Sequence, residues 1–291
     1  MTDDPVFRFA PSPNGRLHLG HALSALTTFE LARRVGGRVL LRIEDIDLGR
    51  SRDAYVTGIL EDLEWLGLTW EEPVLRQSTR FDAYLEAAAR LEQQGLLYRC
   101  AATRAEIRAA AGADPVRDPD GAPLYTRACG YARQDPGDPP CVEHGTPTAL
   151  RLDMAAAIAR LKHLQGNALP TYTAWDGGEH VRGIEARPDR WGDAILIRKD
   201  IPASYHLAVV VDDAFQAVTH VTRGRDLEPA TDLQLLLQAL LGLPQPIYHH
   251  HRLIADTDGR KLSKSARDTA LSDLRATGTT PADIRRAVGL T

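Results

Sequence analysis

The sequence predicts an α/β protein built on a parallel sheet, with an inserted smaller subdomain and a short helical C-terminal part. Three observations predict it. The N-terminal third alternates short apolar runs with longer stretches of helical spacing. The stretch from Gly112 to Pro147 is dominated by Gly, Pro and Asp, and the last residues carry a helix-start pattern. Strand and helix in strict alternation is the pattern of a parallel sheet with helical crossovers.

In order, Val6 to Ala10 reads as a short buried strand, broken by Pro11 and Pro13. Gly15 allows a tight turn, and an apolar helix follows from Leu19 to Val35, closed by Gly36-Gly37. Val39 to Ile43 is the next strand. Ser51 to Leu66 and Arg80 to Gln94 place Ile59, Leu60 and Leu63, then Leu85 and Leu91, at helical spacing. Thr103-Arg-Ala-Glu106 is a capping box opening a further helix. Between Gly112 and Pro147 the composition marks an irregular insertion or loop. Regular structure resumes at Ala149 to Asp153. Leu207 to Asp212 and Phe215 to Thr222 read as strands around a turn at Asp212-Asp213, and Leu233 to Leu241 reads as an apolar helix. Asp256-Thr-Asp-Gly259 is a turn signal. Thr280-Pro-Ala-Asp283 offers an N-cap, a proline at the first helical position and an acid at the third. These signals divide the chain into 1–98 and 191–243 as two halves of one sheet domain, 99–190 as the insertion, and 244–291 as a C-terminal part.

The 291 residues suffice for one large core, or a core with a smaller subdomain. With 43% hydrophobic and 25% charged residues, the composition is that of a globular protein. No apolar run approaches the roughly 20 residues of a membrane span, and the acidic start MTDDPVFRFA is no secretory signal. Three cysteines argue against a disulfide framework and for a reducing cytoplasm. The net charge of −4, from 39 acidic and 35 basic residues, gives no general nucleic-acid-binding character, so any RNA contact is expected to be local.

Two short motifs carry chemistry. PSPNGRLHLGH, Pro11 to His21, combines a proline-rich strand end, a glycine turn and a helix start, which aims backbone N–H groups at an anion site. His18 and His21 share a helix face there, and imidazole N–H donors suit phosphate and the charge that grows at it during attack. Gly20 permits close approach to the backbone. As an isolated pair the histidines would read as surface residues. KLSKS, Lys261 to Ser265, follows the DTDG turn and is rich in small polar residues, as a loop closing over a nucleotide would be. Lys261 and Lys264 are point charges suited to pyrophosphate. The run His249-His250-His251 has no acid or cysteine cluster beside it, so the metal reading is not preferred, and one of the three is expected near adenosine.

Together and in this order, the two motifs resemble the HIGH and KMSKS signatures of class I aminoacyl-tRNA synthetases. RFAPSPNGRLHLGH followed by LRIEDID narrows the resemblance to the glutamyl-tRNA synthetase family, with Asn14 where threonine is usual. The similarity runs from Phe7 to about Ser265, apart from the insertion. It implies a Rossmann-like nucleotide-binding sheet, ATP as substrate with Mg²⁺, and formation of glutamyl-adenylate. It also implies glutamate-binding roles for Arg8, Phe9, Ala10, Pro11, Ser12, Glu44, Tyr205 and Arg223, and ATP-binding or catalytic roles for His18, Gly20, His21, Lys261 and Lys264. The residue chemistry agrees. L-glutamate brings two carboxylates and an ammonium, so a site needs two cationic donors and one anion. The competing reading of Glu44 is an ion pair with Arg42 or Arg50, a role expected rather of Asp45 and Asp47.

Many relatives carry zinc in the insertion through a Cys-x-Cys and Tyr-x-x-x-Cys pattern. Here Cys100, Tyr125 and Cys129 match, but Ala102 replaces one ligand. Cys141 and His144, at C-x-x-H spacing, are the residues that would have to substitute. A metal-free insertion is expected. Only 26 residues follow Ser265, too few for the helical anticodon-reading domain of the full-length family. This leads to the expectation of the truncated branch, which activates glutamate without tRNA and transfers it to queuosine in the anticodon of tRNA(Asp). A monomer is expected. The alternatives are a minimal synthetase charging a tRNA 3′ end and an inactive paralogue acting as a binding protein.

Overall fold

A computed structural model of the chain describes residues 4–126, 147–166, 170–254 and 269–290. Two sheets organise them. The larger has seven strands in the order β3-β2-β1-β9-β10-β6-β7. These are β1 (Val6–Phe9), β2 (Arg38–Ile43), β3 (Glu71–Arg76), β6 (Thr171–Trp175), β7 (Val181–Glu185), β9 (His220–Gly224) and β10 (Ile247–His251). Every neighbouring pair is parallel except β6 with β7, which run antiparallel. The smaller sheet is antiparallel, β4 (Leu97–Cys100), β5 (Ala149–Leu152) and β8 (Ile195–Ile197).

The fully buried β1, with the sequence VFRF, lies between β2 and β9. Chain order reverses across it, and open parallel sheets bind ligands beyond the C-terminal strand ends at such a reversal. Helix α1 (Leu19–Arg34) leaves this point and packs on the sheet through Ala22, Leu23, Ala25 and Leu26. Its core is completed by Ile59 and Leu63 of α2 (Asp53–Trp65), Leu271 of α8 (Leu271–Ala276) and Ile284 of α9 (Pro281–Ala287). On the other side, α3 (Phe81–Gln93), α5 (Met154–Leu164), α6 (Tyr205–Phe215) and α7 (Ala230–Leu241) bury a second core. In α7, Leu233, Leu236 and Leu237 are fully buried.

Both helix starts appear as expected, and the second is a full capping box as well. Thr103 and Glu106 exchange backbone bonds of 3.2 and 2.6 Å at the start of α4 (Arg104–Ala110). Thr280 and Asp283 do the same at 3.2 and 2.9 Å at the start of α9. The largest departure is at residues 205–215. The expected strand and Asp212-Asp213 turn are the single helix α6, capped by Ser204, whose Oγ accepts from the Leu207 N–H at 3.4 Å. A helix enclosed on both sides is apolar at successive positions, and Leu207, Ala208, Val209 and Val210 are all buried, so its sequence has no strand–helix discriminating period. The strand that follows begins only at His220.

The expected division at 99–190 is not where the sheets divide, since β6 and β7 from within that span extend the large sheet. Between Gly112 and Thr126 the chain is a turn-rich excursion, closed by the Gly121 N–H to Asp118 carbonyl bond of 2.9 Å and a bridge of Arg117 to Pro123. No described helix is long and apolar enough to cross a membrane.

Leu236→Ala is expected to remove about 2–5 kcal/mol of stability. Urea unfolding checks it: the midpoint should fall while the slope stays unchanged.

Candidate active site

The C-terminal ends of β1, β2, β9 and β10 and the starts of α1 and α6 surround a cleft of about 560 Å³. Every described residue assigned a glutamate or ATP role from the sequence lines it: Arg8, Phe9, Ala10, Pro11, Ser12, His18, Gly20, His21, Glu44, Tyr205 and Arg223. Lys261 and Lys264 lie outside the described residues. The chain on either side of them borders the cleft, because Ile254 lines it and Ala270 forms a bridge with His18.

At the start of α1 the two imidazoles form a reciprocal cap. His18 Nδ1 accepts from the Gly20 N–H at 3.0 Å, and His21 Nδ1 accepts from the His18 N–H at 3.2 Å. The rings lie 3.9 Å apart. With each Nδ1 accepting, a neutral ring carries its proton on Nε2. Glycine at position 20 has a local cause: a Cβ there would come within 2.8 Å of His18 Cε1, where the ring folds back over the turn.

Next to the cleft the charges are buried and interlocked. Asp213 of α6 accepts from Arg8 Nε at 3.2 Å and from Arg42 Nη1 at 2.7 Å. Arg42, with its side chain fully buried, also reaches Glu44 at 3.3 Å. Here the structure corrects an expectation, since Glu44 itself takes the Arg42 pairing. Asp45 instead binds Arg76 and Ser78, and Asp47 lies 3.6 Å from Arg198. Burial raises the Glu44 carboxyl above the usual range, against the pull of Arg42 and Arg8. Burial likewise raises the Tyr205 hydroxyl, which stays a proton donor.

Arg223 differs from the other two arginines. It is 4% exposed, and its bonds go to Gln234 Oε1 at 2.8 Å, Thr231 Oγ1 at 2.7 Å and His250 Nε2 at 3.3 Å, all neutral groups. Burial, with Arg223 beside it, pushes His250 down to about 3, which keeps the ring an acceptor. No carboxylate of the described residues forms an ion pair with Arg223. Thus of three buried guanidiniums, Arg8 and Arg42 pair with the carboxylates of Asp213 and Glu44, while Arg223 has no ion-pair partner among the described residues. A buried charge without a counter-ion is costly, and an anionic ligand relieves it.

Sequence reasoning missed the buried pair Arg42 and Asp213, which stands outside the lining of the cleft, and the lining residue Thr222. Arg42 and Asp213 meet across 171 positions with no local pattern. Thr222 Oγ1 and His251 Nε2 line the cleft as buried atoms without a hydrogen-bond partner among the described residues. The histidine run divides by direction: His249 Nδ1 bonds Trp175 O at 3.0 Å, His250 supports Arg223, and His251 Nδ1 bonds Arg252 O at 2.8 Å while its ring lines the cleft.

Of the zinc pattern, Cys100 and Tyr125 are described and touch, Sγ to hydroxyl 3.5 Å. Burial, then the bond to Cys100, raises the Tyr125 hydroxyl. Cys129, Cys141 and His144 lie outside the described residues, as does the KLSKS segment. Among the described residues no three His, Cys, Asp or Glu side chains cluster as a metal site.

The model of the family "tRNA synthetases class I (E and Q), catalytic domain" matches residues 6–136 and 157–291. The glutamyl-Q tRNA(Asp) synthetase of Rhodobacter capsulatus is 46% identical over 295 residues, covering 98% of this chain and 100% of that one. The glutamate–tRNA ligase of Synechococcus is 39% identical, covering 94% of this chain but 55% of its own. A crystal structure of a glutamate tRNA ligase from Elizabethkingia meningosepticum in complex with its amino acid superposes with a TM-score of 0.71 at 29% identity. The match covers 91% of this chain and 52% of that structure, so the chain spans about half of it.

Beside the cleft, burial and then Arg223 push His206 down to about 4 from an ordinary value near 6.5. The unfolded chain then binds the extra proton first, so stability is full above about pH 6.5 and is lost as pH falls toward 4, at up to about 1.4 kcal/mol per pH unit. Urea midpoints measured across that range should show the loss, and His206→Gln should flatten the slope.

Proposed function

The chain belongs to the catalytic-domain family of class I tRNA synthetases for glutamate and glutamine, and on that footing we propose that it activates L-glutamate with ATP, without tRNA, and transfers it to queuosine in the anticodon of tRNA(Asp). The observation that carries the amino-acid choice is the buried Arg223, which pairs with no carboxylate among the described residues, in the same cleft as the nearly buried Glu44 carboxylate. A guanidinium that holds no acid of its own suits a substrate carboxylate, and a carboxylate raised by burial suits a substrate ammonium. Arg8 supplies the second cation, and the Tyr205 hydroxyl a neutral donor. Near-full-length similarity to an enzyme named for glutamyl-Q tRNA(Asp) supports the RNA target.

In this reading a glutamate α-carboxylate oxygen attacks the α-phosphorus of ATP. The bond to the bridging oxygen breaks and pyrophosphate leaves, giving glutamyl-adenylate. His18 and His21, through Nε2–H, meet the charge that grows on the phosphoryl oxygens. Lys261 and Lys264 neutralise the leaving pyrophosphate, and Mg²⁺ accompanies the nucleotide. His251 Nε2 and Thr222 Oγ1 are suited to hydroxyl and amino donors of the adenylate. A hydroxyl of the queuosine cyclopentenediol then attacks the glutamyl carbonyl carbon, its proton passing to a phosphate oxygen of the AMP that leaves with the mixed-anhydride electrons. Positioning and charge stabilisation suffice, with no covalent enzyme intermediate. The protein acts as a cytoplasmic monomer in this scheme.

ATP–pyrophosphate exchange with glutamate and no tRNA is the direct test. Exchange is expected, and Lys264→Ala should lower its kcat by about 100-fold or more, the scale of removing one transition-state charge contact. Arg223→Gln should raise the KM for glutamate with little change for ATP. Product mapping should find glutamate on the modified anticodon base of tRNA(Asp). Glutamate on the 3′ ribose would instead favour the minimal synthetase, and absence of exchange with or without tRNA would favour an inactive binding protein.

A further inference from the structure

We infer that Asp213 is a positioning residue for glutamate recognition: by holding Arg8 and Arg42 together, it keeps Glu44 available to the substrate ammonium. The inference rests on the glutamate-activating function proposed above and deepens it.

Asp213 lines no part of the cleft, so its influence must pass through the arginines it binds. It receives Arg8 Nε at 3.2 Å and Arg42 Nη1 at 2.7 Å, both partners being buried. Arg8 is further fixed by Nη1 donating to Thr222 O at 3.2 Å. Arg42 sends its other nitrogen, Nη2, to Glu44 Oε1 at 3.3 Å, a longer and looser contact than its bond to Asp213. The charges around Glu44 are Arg42 from β2, Arg8 from β1, and Asp213 from α6, which also presents the neutral Tyr205. Two guanidiniums near one acid would otherwise saturate it. With Asp213 taking the shorter bonds, Glu44 is left with one long contact and room for a third cation. The negative charge of Asp213 also opposes ionisation of Glu44, against the two arginines.

Its neighbour Asp212 supplies an internal control. That carboxylate is equally buried but points the other way, taking Gln77 Nε2 at 2.9 Å, Arg80 Nε at 2.6 Å and Tyr84 Oη at 2.7 Å. It ties α6 to α3 and to the single turn at Gln77–Thr79, away from the cleft. Adjacent acids of matched burial thus separate a packing role from a recognition role.

The experiment is pyrophosphate exchange on the full chain, with Asp213→Asn and Asp212→Asn side by side. For Asp213→Asn the KM for glutamate should rise about tenfold or more, as for loss of a buried charge-assisted contact, while the KM for ATP stays within about twofold of wild type. The acid limb of kcat/KM for glutamate should also move to lower pH, because removing the Asp213 charge lets the arginines hold Glu44 ionised. Asp213→Glu should recover part of the KM, and Asp212→Asn should lower the melting temperature without moving either KM or the limb. A Asp213→Asn enzyme that loses stability but keeps both its glutamate KM and its acid limb would overturn the inference. Should Asp213→Asn not fold, Arg42→Lys reads the same relay from its other end, and an unchanged glutamate KM there would overturn it equally. If wild type shows no exchange with glutamate, it is the glutamate-activating function that has failed, a result distinct from either.

Discussion

A carboxylate buried as deeply as Asp213 is tolerable only when cations come with it, and that requirement reaches across the fold. Desolvating an ion costs several kcal/mol, recovered only with close partners and good geometry. Asp213 meets it with Arg8 and Arg42, whose strands β1 and β2 stand side by side. Helix α6 is thereby tied to the centre of the sheet by charge as well as by packing. The attraction of both arginines outweighs burial and keeps the Asp213 carboxyl below the usual range. The start of the same helix carries Tyr205 into the cleft. The placement of the helix and the electrostatics of the cleft therefore have one cause.

Arg223 is the complement of that arrangement. Its neighbours Gln234, Thr231 and His250 satisfy hydrogen-bond geometry without supplying charge. Tyr248 lies beneath it, 5.3 Å from the guanidinium carbon to the ring centroid, adding attraction without neutralisation. The cleft is thus preorganised for an anion: the donor is fixed before ligand arrives, and little reorganisation is needed on binding.

Much of this was legible in the sequence wherever the signal is local. Thr103 and Glu106, or Thr280 and Asp283, declare helix starts within four residues, and PSPNGRLHLGH declares a strand end, turn and helix. Arg8, Glu44, Tyr205 and Arg223 were found through their surroundings, and the fold brings them to one cleft. What stayed hidden was non-local or lacked a period. Arg8 and Asp213 are 205 positions apart, and nothing beside either predicts the other. The run Leu207 to Val211 is apolar because α6 is enclosed, which erases the period that separates helix from strand. Strand β7, VRGIE, sits at the sheet edge and is mostly exposed, so it has no apolar alternation to reveal it.

Under the proposed function, the imidazole cap of α1 makes two duties depend on one protonation state. To hold the helix start, each Nδ1 must present a lone pair to a backbone N–H. To meet a phosphate, each ring must present a proton at Nε2. Only the singly protonated ring does both. A doubly protonated ring gains charge that a phosphate would welcome, yet loses the lone pair that keeps the backbone in place. More positive charge at this position would therefore make a poorer phosphate site, because the scaffold that aims the rings is built from the rings themselves.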